Sequence, residues 1–243
     1  MFENFVHKCR KYLAFDTHEL NVLLVTVLLL AFIVGFDDGT ESFDAARWGF
    51  NYLMILLLIT MSVIAHVMTQ RIFALRNGYK PILRLNWYML ITGLVLAFIS
   101  MGQFWFFLVP GIFVMEMLEA HRIGSFRYGF SMKQFGWIAS TGCLANIFLA
   151  VFFKILLLAQ PQSAFLKLGM YINIAMAISN LLPIPPLNGS KLFFGNRVFY
   201  TFIGGLIVGL SLFLVALDSI FLSILFALVI AIIAYYFGSE HLE

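Results

Sequence analysis

Charged side chains are scarce in this chain: Asp, Glu, Lys and Arg make up 11% of its 243 residues, whereas 62% are apolar. So few polar groups cannot cover a water-soluble surface, which excludes most soluble architectures. Cysteine is nearly absent, and Cys9 and Cys143 form neither a disulfide framework nor a Cys-x-x-Cys metal pattern. There is no Pro/Ser-rich linker, charge block or long hydrophilic stretch, so no attached soluble domain is expected. A net charge of +3 in so apolar a sequence carries no signal for nucleic acid, and the basic residues read better as topology signals. What is abundant is aromatic: 17% of the residues, including 28 Phe. A disordered chain of that composition would collapse or aggregate in water. The expected surroundings are therefore a lipid bilayer.

A helix needs about 20 apolar residues to cross about 30 Å of hydrocarbon. Runs of this kind are predicted at Asn21 to Phe36, Phe50 to Phe73, Gly136 to Ala159 and Phe165 to Leu182. The charged start of the chain, with no small-x-small cleavage site after the first run, predicts a retained anchor. Phe199 to Phe237 would be about 58 Å long as one helix, so a hairpin turning near Asp218 is expected. Lys8, Arg10 and Lys11 precede the first span, and Asp37, Asp38, Glu41 and Asp44 follow it. By the positive-inside rule the N-terminus is cytoplasmic. Arg71, Arg76, Lys80 and Arg84, then Arg122, Arg127 and Lys133, then Lys191 and Arg197, all fall on the same side. Leu85 to Met115 has basic flanks at both ends, and its halves, divided near Gly102-Gln103, are short for spans. A re-entrant or tilted hairpin is predicted there. The expectation is an all-α polytopic membrane protein with about six transmembrane helices plus that hairpin, both termini being cytoplasmic. It forms one domain over 1–243, divided into a first span and acidic loop (20–49), a core (50–197) and a C-terminal helical hairpin (198–243). Trp48, Trp87, Trp105 and Trp137, with Tyr235 and Tyr236, fall near span ends, as in interfacial belts.

Three prolines interrupt an apolar helix end in Asn180-Leu-Leu-Pro-Ile-Pro-Pro-Leu-Asn-Gly-Ser-Lys191. Within a membrane such a break is tolerated where it is buried in protein or lines a polar cavity. The segment strongly resembles the Asn-x-x-Pro-x-x-Pro-Leu-Asp-Gly motif of the site-2 protease family, intramembrane zinc metalloproteases that cleave transmembrane segments of their substrates. Asn180, Pro183, Pro185, Pro186 and Gly189 are its scaffold positions here. Ser140-Thr-Gly-Cys-Leu-Ala-Asn146 resembles the family's Gly-Pro-x-x-Asn element, with Gly142 and Asn146 matching and Cys143 in place of proline. Val63-Ile-Ala-His-Val-Met-Thr-Gln70 stands where the family carries His-Glu-x-x-His. The resemblance covers about Phe50 to Arg197, and at this length none of the PDZ or regulatory modules that some members add is expected.

In the family's motif two histidines at i and i+4 share a helix face and bind zinc, the adjacent Glu is the general base, and the Asp of Leu-Asp-Gly is the third ligand. Here His66 matches, Val67 replaces the Glu, Gln70 the second His and Asn188 the Asp. One strong ligand of three remains, and Val67 cannot accept a proton. The four positions are coherent as a metal-free site: a buried carboxylate without its cation is costly, both have become neutral, and the His66, Gln70 and Asn188 side chains can satisfy one another. Asn146 and Asn173, polar within spans, are expected to bond across helices, with a groove-lining role open for Asn146.

The resemblance therefore implies a catalytically inactive pseudoprotease, with no catalytic residue and no bound cofactor or metal, that binds a transmembrane segment or a membrane protein partner. Alternatives are an accessory structural subunit of a larger membrane complex, and an active zinc protease with ligands relocated to Glu116, Glu119 and His121. A transporter is disfavoured, because no charged pair lines a predicted span.

Overall fold

The computed structural model describes residues 2–37, 44–118 and 131–241. Six of its helices are long and apolar enough to cross a membrane: α2 (Thr17–Val34), α3 (Ala45–Arg76), α5 (Met132–Ala159), α6 (Ala164–Leu181), α8 (Arg197–Ala216) and α9 (Ile220–His241). The chain is an all-α, multi-pass membrane protein. Among the described residues there are also three shorter helices: α1 (Phe2–Tyr12), α4 (Trp87–Ile99) and α7 (Asn188–Gly195). α5 is the hub and packs against α3, α6, α7 and α8. The expected terminal hairpin is α8 and α9, which turn around Asp218. Gly205 and Gly209 let α8 approach Ala231 and Ala227 of α9, the close small-residue packing by which helices associate in lipid.

Helical structure begins ahead of the first predicted span. α1 forms over the charged residues before the first span, and α2 begins at Thr17, four residues before the predicted Asn21. The cause is local: the Asp16 side chain accepts from the start of α2, while Glu19 reaches back to the Asp16 amide, a capping box.

Glu19 has a second role that corrects the expectation that no charged pair lines the spans. Its carboxylate accepts two hydrogen bonds of 3.0 Å from Arg71, near the end of α3, and another from the Leu83 amide. Arg71 also donates to the carbonyls of Tyr12 and Ala14. Both side chains are buried, and the partners they have come from the elbow between α1 and α2, from α3 or from residue 83. A residue that the sequence marks as a topology signal is thus an internal clamp. A second pair, Lys154 of α5 and Asp218 of the terminal turn at 4.0 Å, ties that turn to the hub.

The region 85–115 is half as predicted. The turn near Gly102-Gln103 is present, with Met101 and Gly102 at positive φ, and α4, about 20 Å long, is too short to cross. The second half is not helical. Residues 104–111 form no regular element and lead, through Gly111 at positive φ, into β2 (Ile112–Met117), which pairs antiparallel with β1 (Tyr79–Arg84), Tyr79 opposite Met117 and Arg84 opposite Ile112. Aromatic and β-branched residues favour the strand, and Pro110 supplies no amide to a helix. Gly93 lets α4 settle on the irregular chain, since a Cβ there would stand 3.0 Å from the Phe107 carbonyl oxygen.

Candidate functional site

α3 carries His66 and Gln70 one turn apart, both buried, with the Val67 side chain also buried. α5 carries Gly142 and Asn146, again four residues apart, on the turns that pack against α3. The third contribution needs a reversal of the chain after α6. Residues Leu182 to Leu187 make that reversal, and α7 then starts at Asn188. Gly189 is required for it: a Cβ at this position would fall on the Leu181 carbonyl group, so only glycine lets α7 begin against the end of α6. Of the two settings expected for the break, burial in protein does not hold for the prolines themselves. Pro183 and Pro185 are exposed and Pro186 half-buried, while Leu187 is buried. Proline has no amide to leave unpaired, which makes such exposure cheap. Tyr200 of α8 donates to the Leu181 carbonyl freed at the end of α6.

The three loci meet at His66. Its Nδ1 lies 3.0 Å from Asn146 Oδ1, and its Nε2 lies 3.1 Å from Asn188 Nδ2. These contacts define one tautomer, with Nδ1–H donating to Asn146 and Nε2 accepting from Asn188. The imidazole is thus held on both nitrogens by amides from two other helices. Gln70 departs from the expected mutual arrangement. Its Nε2 donates to the Ala139 carbonyl at 2.8 Å, so it ties α3 to α5 beside the His66 cluster. Gly142 is what lets these side chains fit, because a Cβ there would meet His66 Nε2 at 2.5 Å and Gln70 Nε2 at 2.6 Å.

Asn180 is buried and donates to the Leu108 carbonyl and, within α6, to Met176. Asn173 does not bond across helices as expected; its amide donates to Gly169 within α6. Two contacts had no counterpart in the sequence reading. Ser179 donates to the Phe106 carbonyl at 2.7 Å and accepts from the Leu108 amide at 3.1 Å, so with Asn180 it holds this segment as a strand partner would. Lys191 of α7 donates to the Phe113 carbonyl of β2 at 2.9 Å, and burial pushes its ammonium group down to about 8. The adjacent polar pair Ser179-Asn180 was the signal for the first contact. A lysine on a backbone carbonyl leaves none.

The donor chemistry around His66 does not fit a zinc ion. A structural or catalytic zinc takes three or four imidazole, thiolate or carboxylate ligands. Here a single imidazole has amide partners on both ring nitrogens, and among the described residues no three His, Cys, Asp or Glu side chains gather anywhere. Of the relocated ligands considered above, Glu116 is exposed on β2 opposite Lys80, and Glu119 and His121 lie outside the described residues.

No family model matches the chain, and no solved structure matches it. It is similar to a protein of Methanocaldococcus jannaschii named "Putative zinc metalloprotease". The two are 27% identical over 205 residues, which cover 82% of this chain and 96% of that protein. The likeness thus runs through nearly all of a protein named as a zinc metalloprotease.

Proposed function

We propose that this chain is a site-2-protease-like membrane protein that has lost hydrolysis and binds a transmembrane segment or a membrane protein partner on the former catalytic face. The observation that carries the reading is the hydrogen bonding of His66, whose two ring nitrogens are both engaged by neutral amides. A site built for a metal holds free donors aimed at one point, whereas here both imidazole nitrogens are taken up by amides and the one buried unpartnered group among them, Asn146 Nδ2, is an N–H donor that cannot ligate a cation. Its neutral amides need no cation, and Val67 beside His66 offers nothing that could take a proton from water. The named resemblance of the Methanocaldococcus jannaschii protein supports a metalloprotease ancestry for the scaffold.

What the scaffold keeps is a way to hold backbone. Ser179 and Asn180 already grip a segment of the chain at Phe106 and Leu108. A partner helix that unwinds at its end would have to displace this stretch to offer the same carbonyl and amide groups to Ser179 and Asn180. A second reading, an accessory subunit, is favoured by α9, in which only Ser223, Ala227, Ala231 and Gly238 are buried and the rest presents an apolar face outward.

A photo-cross-linking residue at Ile184, exposed between the prolines, or at Phe221, exposed on α9, separates the two. In native membranes the proposed function predicts a discrete protein adduct from position 184 and lipid alone from position 221. Adducts from 221 only favour the accessory subunit, and lipid adducts from both positions overturn partner binding.

A further inference from the structure

A second site lies at the end of the bundle where the chain enters its first span. A cavity of about 840 Å³ opens between the α1–α2 elbow, the end of α3 and β1. Its wall is basic. Lys11, Lys80 and Arg84 line it, together with the mutually paired Arg71 and Glu19. Among the described residues none of the first three pairs with a carboxylate; Glu116 stands opposite Lys80 in the strand register, but no ion pair closes between them. Asp16, the one other acidic group on the wall, is committed to capping α2.

The ammonium groups of Lys11 and Lys80 both stand over the Tyr12 ring, 5.2 and 6.0 Å from its centroid. Two cations drawn to one ring, with a guanidinium on the same wall, repel one another unless an anion lies between them. Because the Arg71–Glu19 pair fixes the elbow against α3 and residue 83, this convergence is built into the fold.

The surroundings indicate where the anion comes from. α2 starts at the cavity, and the positions that follow Asp16 at four-residue spacing on the same helix face are Leu20, Leu24 and Leu28, which are 52%, 61% and 41% exposed. An apolar track therefore leads from the basic cavity along the span, as an acyl chain below an anionic headgroup requires. We propose that this cavity binds a phosphate-bearing anion and that its source is the headgroup of an anionic phospholipid. Bound there, the phosphate bridges α1 and β1 at the same end of α3 that carries Arg71, five residues or about 7.5 Å of helix rise beyond His66.

The test is a titration of the full chain in a mild detergent, read as a shift in Tm, with short-chain phosphatidylglycerol, short-chain phosphatidylcholine and inorganic phosphate as separate probes. Phosphatidylglycerol should raise Tm saturably, with phosphatidylcholine and inorganic phosphate far weaker. Lys11→Gln, Lys80→Gln and Arg84→Gln combined should weaken the response by on the order of 100-fold, and Lys80→Gln alone by several-fold. A Lys133→Gln, Arg197→Gln variant, which removes two cations from another basic hollow, should respond as the unmodified protein does. Inorganic phosphate as effective as phosphatidylglycerol, and sensitive to the same substitutions, would support the cavity but overturn the lipid as its source. Equal responses to the two lipids, an unaffected triple variant, or equal loss in the control variant would overturn the site itself. None of these outcomes depends on the His66 reading.

Discussion

His66 and Asn188, 122 positions apart in sequence, are joined side chain to side chain at 3.1 Å. That contact brings the end of α6 and the start of α7 onto the middle of α3, and everything proposed for the site depends on it. The reversal that allows it turns on a single backbone approach, Gly189 against Leu181.

Gly142 gives the most direct test of packing around His66. Gly142→Ala places a Cβ within 2.7 Å of three side-chain atoms of His66 and Gln70. Overpacking of this kind costs about 1–3 kcal/mol. Thermal unfolding in detergent should therefore occur at a clearly lower temperature. Gly204→Ala, where the nearest atom is 3.9 Å away, should be neutral or slightly stabilising.

The Glu19–Arg71 pair should behave as a buried clamp. Removing one partner leaves the other without its counter-charge, at a cost of about 3–5 kcal/mol. Glu19→Leu strands a cation among carbonyls and Arg71→Met strands a carboxylate, so each single variant should unfold far below the parent. The double variant should recover part of the loss, and a double-mutant cycle on unfolding free energies measures that coupling. Strictly additive losses would contradict the clamp.

Lys191 sets a pH dependence. Its ammonium pKa is lowered to about 8 in the fold from 10.5. Between these values the unfolded chain binds more protons than the folded one, so stability should rise as the pH passes from about 8 toward 10.5. Below pH 8 both states are protonated and the contribution is flat. Lys191→Met should remove the rise, which unfolding measured between pH 7 and pH 10.5 checks.

The orientation expected from the basic residues can be tested by labelling. A Cys at Ser42 in a Cys9→Ser background should react with an impermeant thiol reagent on intact cells, and native Cys9 only after permeabilisation. The reverse pattern would invert the topology.

Much of the architecture was legible because spans are written in hydropathy. The terminal hairpin could be read from length alone, and the site loci from motifs around His66, Asn146 and Asn188. What the sequence hides is what depends on pairing. Residues 104–111 are as apolar as a helix, and only β1, some twenty residues earlier, makes the strand that follows them favourable. Arg71 looks like any basic residue after a span until Glu19 is placed beside it. The partner of Gln70 is the backbone of Ala139, which no pattern of side chains encodes, whereas the amides facing His66 could be anticipated from the motifs that these segments resemble.

The most direct test of the central claim is the zinc content of the unmodified protein and of a Val67→Glu, Gln70→His, Asn188→Asp variant, purified identically and measured by elemental analysis. The triple change supplies a base, a second imidazole and a carboxylate around His66, so that three ligands converge. The account predicts no stoichiometric zinc in the unmodified protein and a large gain in the variant. One tightly bound zinc per chain in the unmodified protein would contradict it.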